Sequence, residues 1–301
     1  MEFAIVVGFF VFGLGVYVYR NSLQNASSQK WFLLFNISVG SWIFMLGLRS
    51  LIVSEWREVI HHFLLIPILF SPYLFFRFVK SIFDRDYKMG RVATGLNVIV
   101  IGYFLFIAIN LLYSAYVNTD NFSHRPTIHY HLLIMYCTVY FAFSLFVLWR
   151  EVGKHQLHRI QAMLITVGTL IGLSISVLFV YILPLLCGIY LAPCSAIGVA
   201  IANLFFAAAV LLGNVFKLNA NLLSGKPLPW LSRVVVIAVV VVYRYVDPAE
   251  FLKKSQMFSE RVEATNEKLW EMLWSIYEDD GDVKKRIRDT AKEISVMNLN
   301  L

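Results

Sequence analysis

The chain has 301 residues, of which 59% are hydrophobic, 16% aromatic and only 15% charged. A water-soluble domain meets that balance only by exposing large apolar patches, so the composition reads as a multi-pass membrane protein. The net charge of +7 would point a soluble chain to nucleic acid, but the basic residues lie between apolar segments, where they orient spans, and no nucleic-acid motif accompanies them.

The opening "MEFAIVVGFFVFGLGVYVYR" carries an acid where a signal peptide carries a base and lacks an A-x-A-like cleavage site, which predicts a retained first span. A spanning helix needs about 20 apolar residues. Seven segments meet or approach that length: 3–19, 31–53, 59–82, 92–117, 128–149, 160–186 and 193–218. The first, third and fifth connections hold Arg20, Lys30, Arg77, Lys80, Arg85, Lys88, Arg91, Arg150, Lys154 and Arg159, against Arg49, Arg57 and Arg125 in the second, fourth and sixth. The positive-inside rule then puts the N-terminus outside and the end of the seventh span in the cytoplasm, with the basic knot of "WREVGKHQLHRIQ" on the cytoplasmic side.

Within the spans, Gly168 and Gly172 form a small-x-x-x-small pair, and Gly198, Ala202 and Ala207 to Ala209 give the seventh a thin face, a pattern for close helix contact. Pro67, Pro72 and Pro184 free backbone carbonyls and predict bends. Cys187 and Cys194 flank the turn "CGIYLAPC"; they form a disulfide if that turn faces an oxidising compartment and are otherwise buried free thiols. Past Lys217, residues 234–243 are apolar but too short to span, and Arg233 interrupts any extension, which suits a surface helix or strand, with an eighth span as the alternative. The expected organisation is a seven-span bundle over 1–219, an apolar juxtamembrane segment over 220–246 and a cytoplasmic helical tail over 247–301.

The tail opens with Asp247 at an N-cap and Pro248 at the first helical position. Steps of four and three give a seam of Phe251, Ser255, Phe258, Val262, Thr265, Leu269, Met272 and Ile276, mostly apolar, as in a signalling helix or short coiled coil that pairs with a second copy. A membrane-lying amphipathic helix, which Trp270 and Trp274 also suit, is the rival.

No catalytic set stands out: there is no P-loop, H-E-x-x-H, G-x-S-x-G or nucleotide-binding box. The polar residues at membrane depth, among them Asn36, Ser38, Asn97, Thr166 and Asn203, are neutral, which argues against proton-coupled transport and suits interhelical hydrogen bonds. On the outer side, His61 and His62 begin the third span while His124, His129 and His131 approach or begin the fifth; imidazoles from the two helix ends, foremost His61, His62, His129 and His131, could bind a metal or a small ligand or sense pH. Tyr73, Tyr103, Tyr113, Tyr136 and Tyr140 are candidate liners of an outward-opening pocket. No cofactor is specified by these residues.

The order of elements, the W-R…H-R-I-Q approach to the sixth span, "ILPLLCGIYLAPCSAIG" across the sixth turn and "LFFAAAVLLGNVFKLN" closing the seventh resemble the N-terminal seven-transmembrane region of bacterial sensor histidine kinases. The resemblance implies an all-α seven-transmembrane bundle in a bacterial inner membrane, acting as a sensor or anchoring module for a cytoplasmic signalling output, and it transfers no catalytic residues. It departs at Leu301, where no output domain has followed, an end that suits a truncated product, an excised piece or a stand-alone receptor subunit. The reading that follows is a sensor for an external or lipid-phase stimulus, with an integral-membrane enzyme or transporter using the outer histidines, or an assembly subunit, as alternatives.

Overall fold

A computed structural model describes residues 2–21, 26–49, 51–84, 86–118, 122–153 and 159–212. In the tail it describes Leu252, Gln256, Ser259, Glu260, Glu263, Ala264, 266–271, Trp274, Asp289 and Thr290. The chain divides into two units, Met1–Asn214 and Val215–Leu301. The first is built from α1 (Glu2–Asn21), α2 (Ala26–Leu48), α3 (Ser54–Phe63), α4 (Leu65–Phe83), α5 (Arg91–Ile109), strands β1 (Ser114–Val117) and β2 (His124–Pro126), α6 (Ile128–Val152), α7 (Arg159–Val177), a π-helical turn (Leu178–Ile182), α8 (Leu183–Cys187), a 3-10 turn (Ala192–Cys194) and α9 (Ser195–Leu212). In the second, the described residues from Leu252 to Trp274 are helical.

Among the described residues, seven helical stretches are long and apolar enough to cross a bilayer: Glu2–Arg20, Ser27–Leu48, Glu55–Phe83, Arg91–Ile109, Ile128–Val152, Arg159–Cys187 and Ala192–Leu211. The protein is a multi-pass seven-helix membrane protein. Helix α2 packs on α1, α4 and α9, while α9 also packs on α1 and α7. Their shared core is aromatic: Phe35, Phe75 and Phe206, from the second, third and seventh spans, meet pairwise with ring centres 5.5–5.8 Å apart. Helix α5 is peripheral, with Val92, Leu96, Ile99 and Phe106 all exposed to the surroundings.

The fourth span is shorter than the sequence suggests. Its hydrophobicity continues to Val117, but α5 stops at Ile109. Leu111 takes the left-handed region at φ 56, its N–H returns to the Ala108 carbonyl, and that of Leu112 returns to Ile107. This is a Schellman closure with leucine where glycine is usual. The chain then forms an antiparallel hairpin in which Tyr116 faces Arg125 and Val117 faces His124. We call the end of the bundle that holds this hairpin the hairpin end; the opposite end carries the basic connections.

The small residues do what their spacing suggests. A Cβ built on Gly172 would lie 2.8 Å from Ala202 Cβ, and one on Gly198 would lie 2.6 Å from Ile175 Cβ, so the sixth and seventh spans touch backbone to side chain there. The prolines act locally. Pro67 cannot donate to Phe63, and the third span breaks between α3 and α4 at Leu64. Pro72 frees the Ile68 carbonyl, which accepts instead from Ser71 Oγ at 2.9 Å. Replacing Gly172 with leucine overpacks the α7–α9 contact and should destabilise the bundle by about 1–3 kcal/mol. Gly95→Leu, at a site with nothing within 4 Å, should leave unfolding in detergent unchanged.

Candidate binding site at the hairpin end

Pro184 bends the sixth span and leaves the Val180 carbonyl without its helical donor. The hydroxyl of Tyr130, from the start of α6, donates to that carbonyl at 3.1 Å. One residue on, His131 Nδ1 meets the Tyr181 hydroxyl at 2.8 Å. The two bonds fasten the first turn of the fifth span to the π-helical turn of the sixth, a geometry common at functional positions in helices.

Beside this clamp lies a buried cation. Arg49 follows the last turn of α2 and is only 3% exposed. Its guanidinium carbon sits 4.4 Å from the centre of the Phe122 ring, and its Nε has no hydrogen-bond partner. Among the described residues the one ion pair is Lys80–Glu151 at the basic end, so no described carboxylate neutralises Arg49. Burial lowers its pKa to about 10, which leaves it charged at neutral pH. Phe122 holds its position at φ 58, a left-handed value that costs a non-glycine residue energy; its ring also stacks under Arg57, at 5.4 Å.

The histidines regroup relative to the sequence expectation. His61 and His62 are buried, as expected of neighbours at the head of the third span, but their partner is His124 of β2: the His61 and His124 rings are 4.5 Å apart. His61 Nε2 meets Ser114 Oγ at 3.1 Å, and its Nδ1 has no partner. His129 and His131 turn away from this group, His129 to the Tyr103 hydroxyl at 2.7 Å and His131 to Tyr181. Among the described residues no three His, Cys, Asp or Glu side chains are placed to hold a metal ion. Cys187 is exposed and Cys194 half-buried, and both are free thiols. Of the tail seam, Leu269 is helical and exposed; Phe251, Phe258, Val262, Met272 and Ile276 lie outside the described residues, as does the segment 220–246.

Two cavities share wall residues here. The smaller, of about 20 Å³ and called the polar cavity for Arg49, His61, His124, Tyr130 and Tyr190 in its wall, is otherwise lined by apolar side chains. A larger one, about 110 Å³, runs between the second, third, fifth, sixth and seventh spans and is lined almost wholly by apolar groups such as Phe35, Leu133, Val199 and Phe206. Trp42, Leu65 and Val180 belong to the walls of both. None of Tyr73, Tyr103, Tyr113, Tyr136 and Tyr140 lines either cavity: Tyr113 is fully buried with its hydroxyl on the Phe104 carbonyl, and Tyr140 donates to Asn97. Sequence reasoning counted Arg49 only as an orienting loop charge and grouped His124 with His129 and His131; the signal it passed over was an arginine directly against an apolar span.

Fold and site together define a seven-span bundle with a buried cationic pocket at one end. The sequence model of the family described as the N-terminal 7TM region of histidine kinase matches residues 3–219, and the chain belongs to that family. No curated protein and no solved structure matches it.

Burial, with a further push from the Arg49 charge and against the hydrogen bond to the Phe122 carbonyl, holds the His124 imidazole below its ordinary range. The folded state thus binds this proton less readily than the unfolded chain. The stability His124 contributes is complete above about pH 6.5 and drains away as pH falls below it. Thermal unfolding between pH 7.5 and 5 should therefore fall more steeply for the wild-type protein than for His124→Gln, with Arg49, His61, Tyr130 and Tyr190 still facing the position in both.

Proposed function

We propose that the protein is a sensor module of a bacterial inner membrane. Its hairpin end lies outside, and it passes an external or lipid-phase stimulus to a cytoplasmic signalling output through the C-terminal helix. The family supplies the sensor role. The observation that carries the mechanism is the Tyr130–Val180 and His131–Tyr181 clamp, which ties the π-helical turn of the sixth span to the pocket-forming start of the fifth. A π-helical turn beside a proline has more than one way to close its hydrogen bonds, so a ligand that favours one arrangement moves the lower half of the span. The tail seam of Phe251, Phe258, Val262, Leu269, Met272 and Ile276 then reports the movement to a second copy of the chain; Leu269, helical and exposed, is available for such pairing.

Reporter fusions after Lys217 and Leu301 should both be cytoplasmic; Leu301 outside would sink transmission through the tail. With the chain joined to a histidine-kinase catalytic core in proteoliposomes, Tyr130→Phe should change basal autophosphorylation at least threefold, because the Val180 carbonyl loses its donor. Unchanged autophosphorylation would reduce the module to an anchor.

A further inference from the structure

We propose that the hairpin end binds a short-chain amphipathic carboxylate, its head on Arg49 and His61 in the polar cavity and its apolar chain in the cavity between the spans. The inference deepens the sensor reading by giving the stimulus a chemical class.

Arg49 supplies the charge. Among the described residues no carboxylate stands in the walls around this buried guanidinium, and a charge so held carries a cost that a bound anion relieves. His61 supplies the second contact. It is 5% exposed and lines the polar cavity, and its Nδ1 has no partner among the described residues; in the tautomer whose Nε2 accepts from Ser114 Oγ, the Nδ1–H is a donor. Tyr130 and Tyr190 stand in the same wall, with their own hydroxyls already given to Val180 and to the His124 carbonyl. A site with a fixed cation, an imidazole donor and no acidic wall selects an anion over an amine or an alcohol.

Size and adjacency supply the rest. The polar cavity, about 20 Å³, is of the scale of one water or one planar carboxylate, whose two oxygens suit the guanidinium fork. A phosphate, with more oxygens and charge, has one guanidinium and too little room. The apolar cavity, about 110 Å³, shares the wall residues Trp42, Leu65 and Val180 with it and offers a water few polar partners. A ligand that fills both has a charged head joined to an apolar group on the order of six carbons, the scale of cavities that take a benzene-sized guest. Because Val180 is also the residue clamped by Tyr130, the chain of such a ligand lies against the π-helical turn itself.

The test is a titration of the purified full chain in nanodiscs with straight-chain carboxylates from propionate to hexadecanoate, read by calorimetry and by tryptophan fluorescence. Affinity should rise about fourfold per methylene, the gain expected for burying each one, reach its maximum near hexanoate, and fall beyond octanoate. Hexanol and hexylammonium should bind at least tenfold more weakly than hexanoate. Arg49→Gln should lose at least tenfold and Arg49→Lys less. Ala202→Phe, which fills the apolar cavity, should flatten the chain-length series.

Equal binding of hexanol or hexylammonium would overturn the proposal. So would a chloride titration that reproduces the fluorescence change, or a rise continuing through hexadecanoate, which would belong to fatty acids taken from the bilayer. The first comparison uses wild-type protein alone, so it stands even where a buried variant fails to fold. Binding reads occupancy and autophosphorylation reads output: a protein that takes hexanoate without changing autophosphorylation keeps this site and loses the sensor role, and the reverse result separates them the other way.

Discussion

In hydrocarbon a backbone carbonyl without a donor has no water to turn to, and each proline inside a span of this bundle creates one. The protein answers differently each time. At Pro67 the helix gives way, splitting the third span into α3 and α4. At Pro72 a serine from the same turn closes the gap. At Pro184 the donor comes from another span, and this choice organises the hairpin end: because Tyr130 must reach Val180, the start of the fifth span is drawn onto the bend of the sixth. The walls of the polar cavity follow from that approach.

The same end gathers groups that a membrane interior tolerates poorly. Arg49, His61 and His62 are all nearly inaccessible, at 3%, 5% and 0% exposure, and a strained Phe122 roofs the arginine with its ring. Stability alone would favour apolar residues at such positions, since buried charges without partners weaken a fold. Groups held there at that cost are the physical basis for the proposal that the hairpin end receives a ligand.

Much of the architecture was legible in the sequence because hydrophobic length is a direct readout of bilayer thickness: the seven apolar segments map one to one onto the seven spans. The Gly168, Gly172 and Gly198 contacts were equally readable, since only small residues allow backbones that close. The fourth span was misjudged by eight residues because its terminator is Leu111 in a left-handed conformation, and leucine carries no signature of that role. The histidine cluster was half legible. His61 and His62 announce themselves as a pair, but their neighbour His124 is set by the register of a two-stranded hairpin, Val117 opposite His124, which no periodicity in so short a loop encodes. The tyrosine set failed for a related reason: Tyr103, Tyr113 and Tyr140 found imidazole, carbonyl and amide partners of their own, and the walls of the larger cavity were left to apolar residues.

The ion pair between Lys80 and Glu151, 2.8 Å at the far end of the bundle, has a mechanical meaning. It pins the last turn of the fifth span to the third, while the opposite end of the same span is fastened to the sixth. A rod held at both ends by different neighbours does not slide along its axis; it tilts. Helix α6 is about 37 Å long by its 25 residues and the usual rise, so a displacement of its head against the π-helical turn pivots about Lys80. If the proposed sensor signals through this span, the fifth span would act as a lever with its fulcrum on the charged side, and a fraction of an ångström at the pocket would become a change of angle across the whole thickness of the membrane.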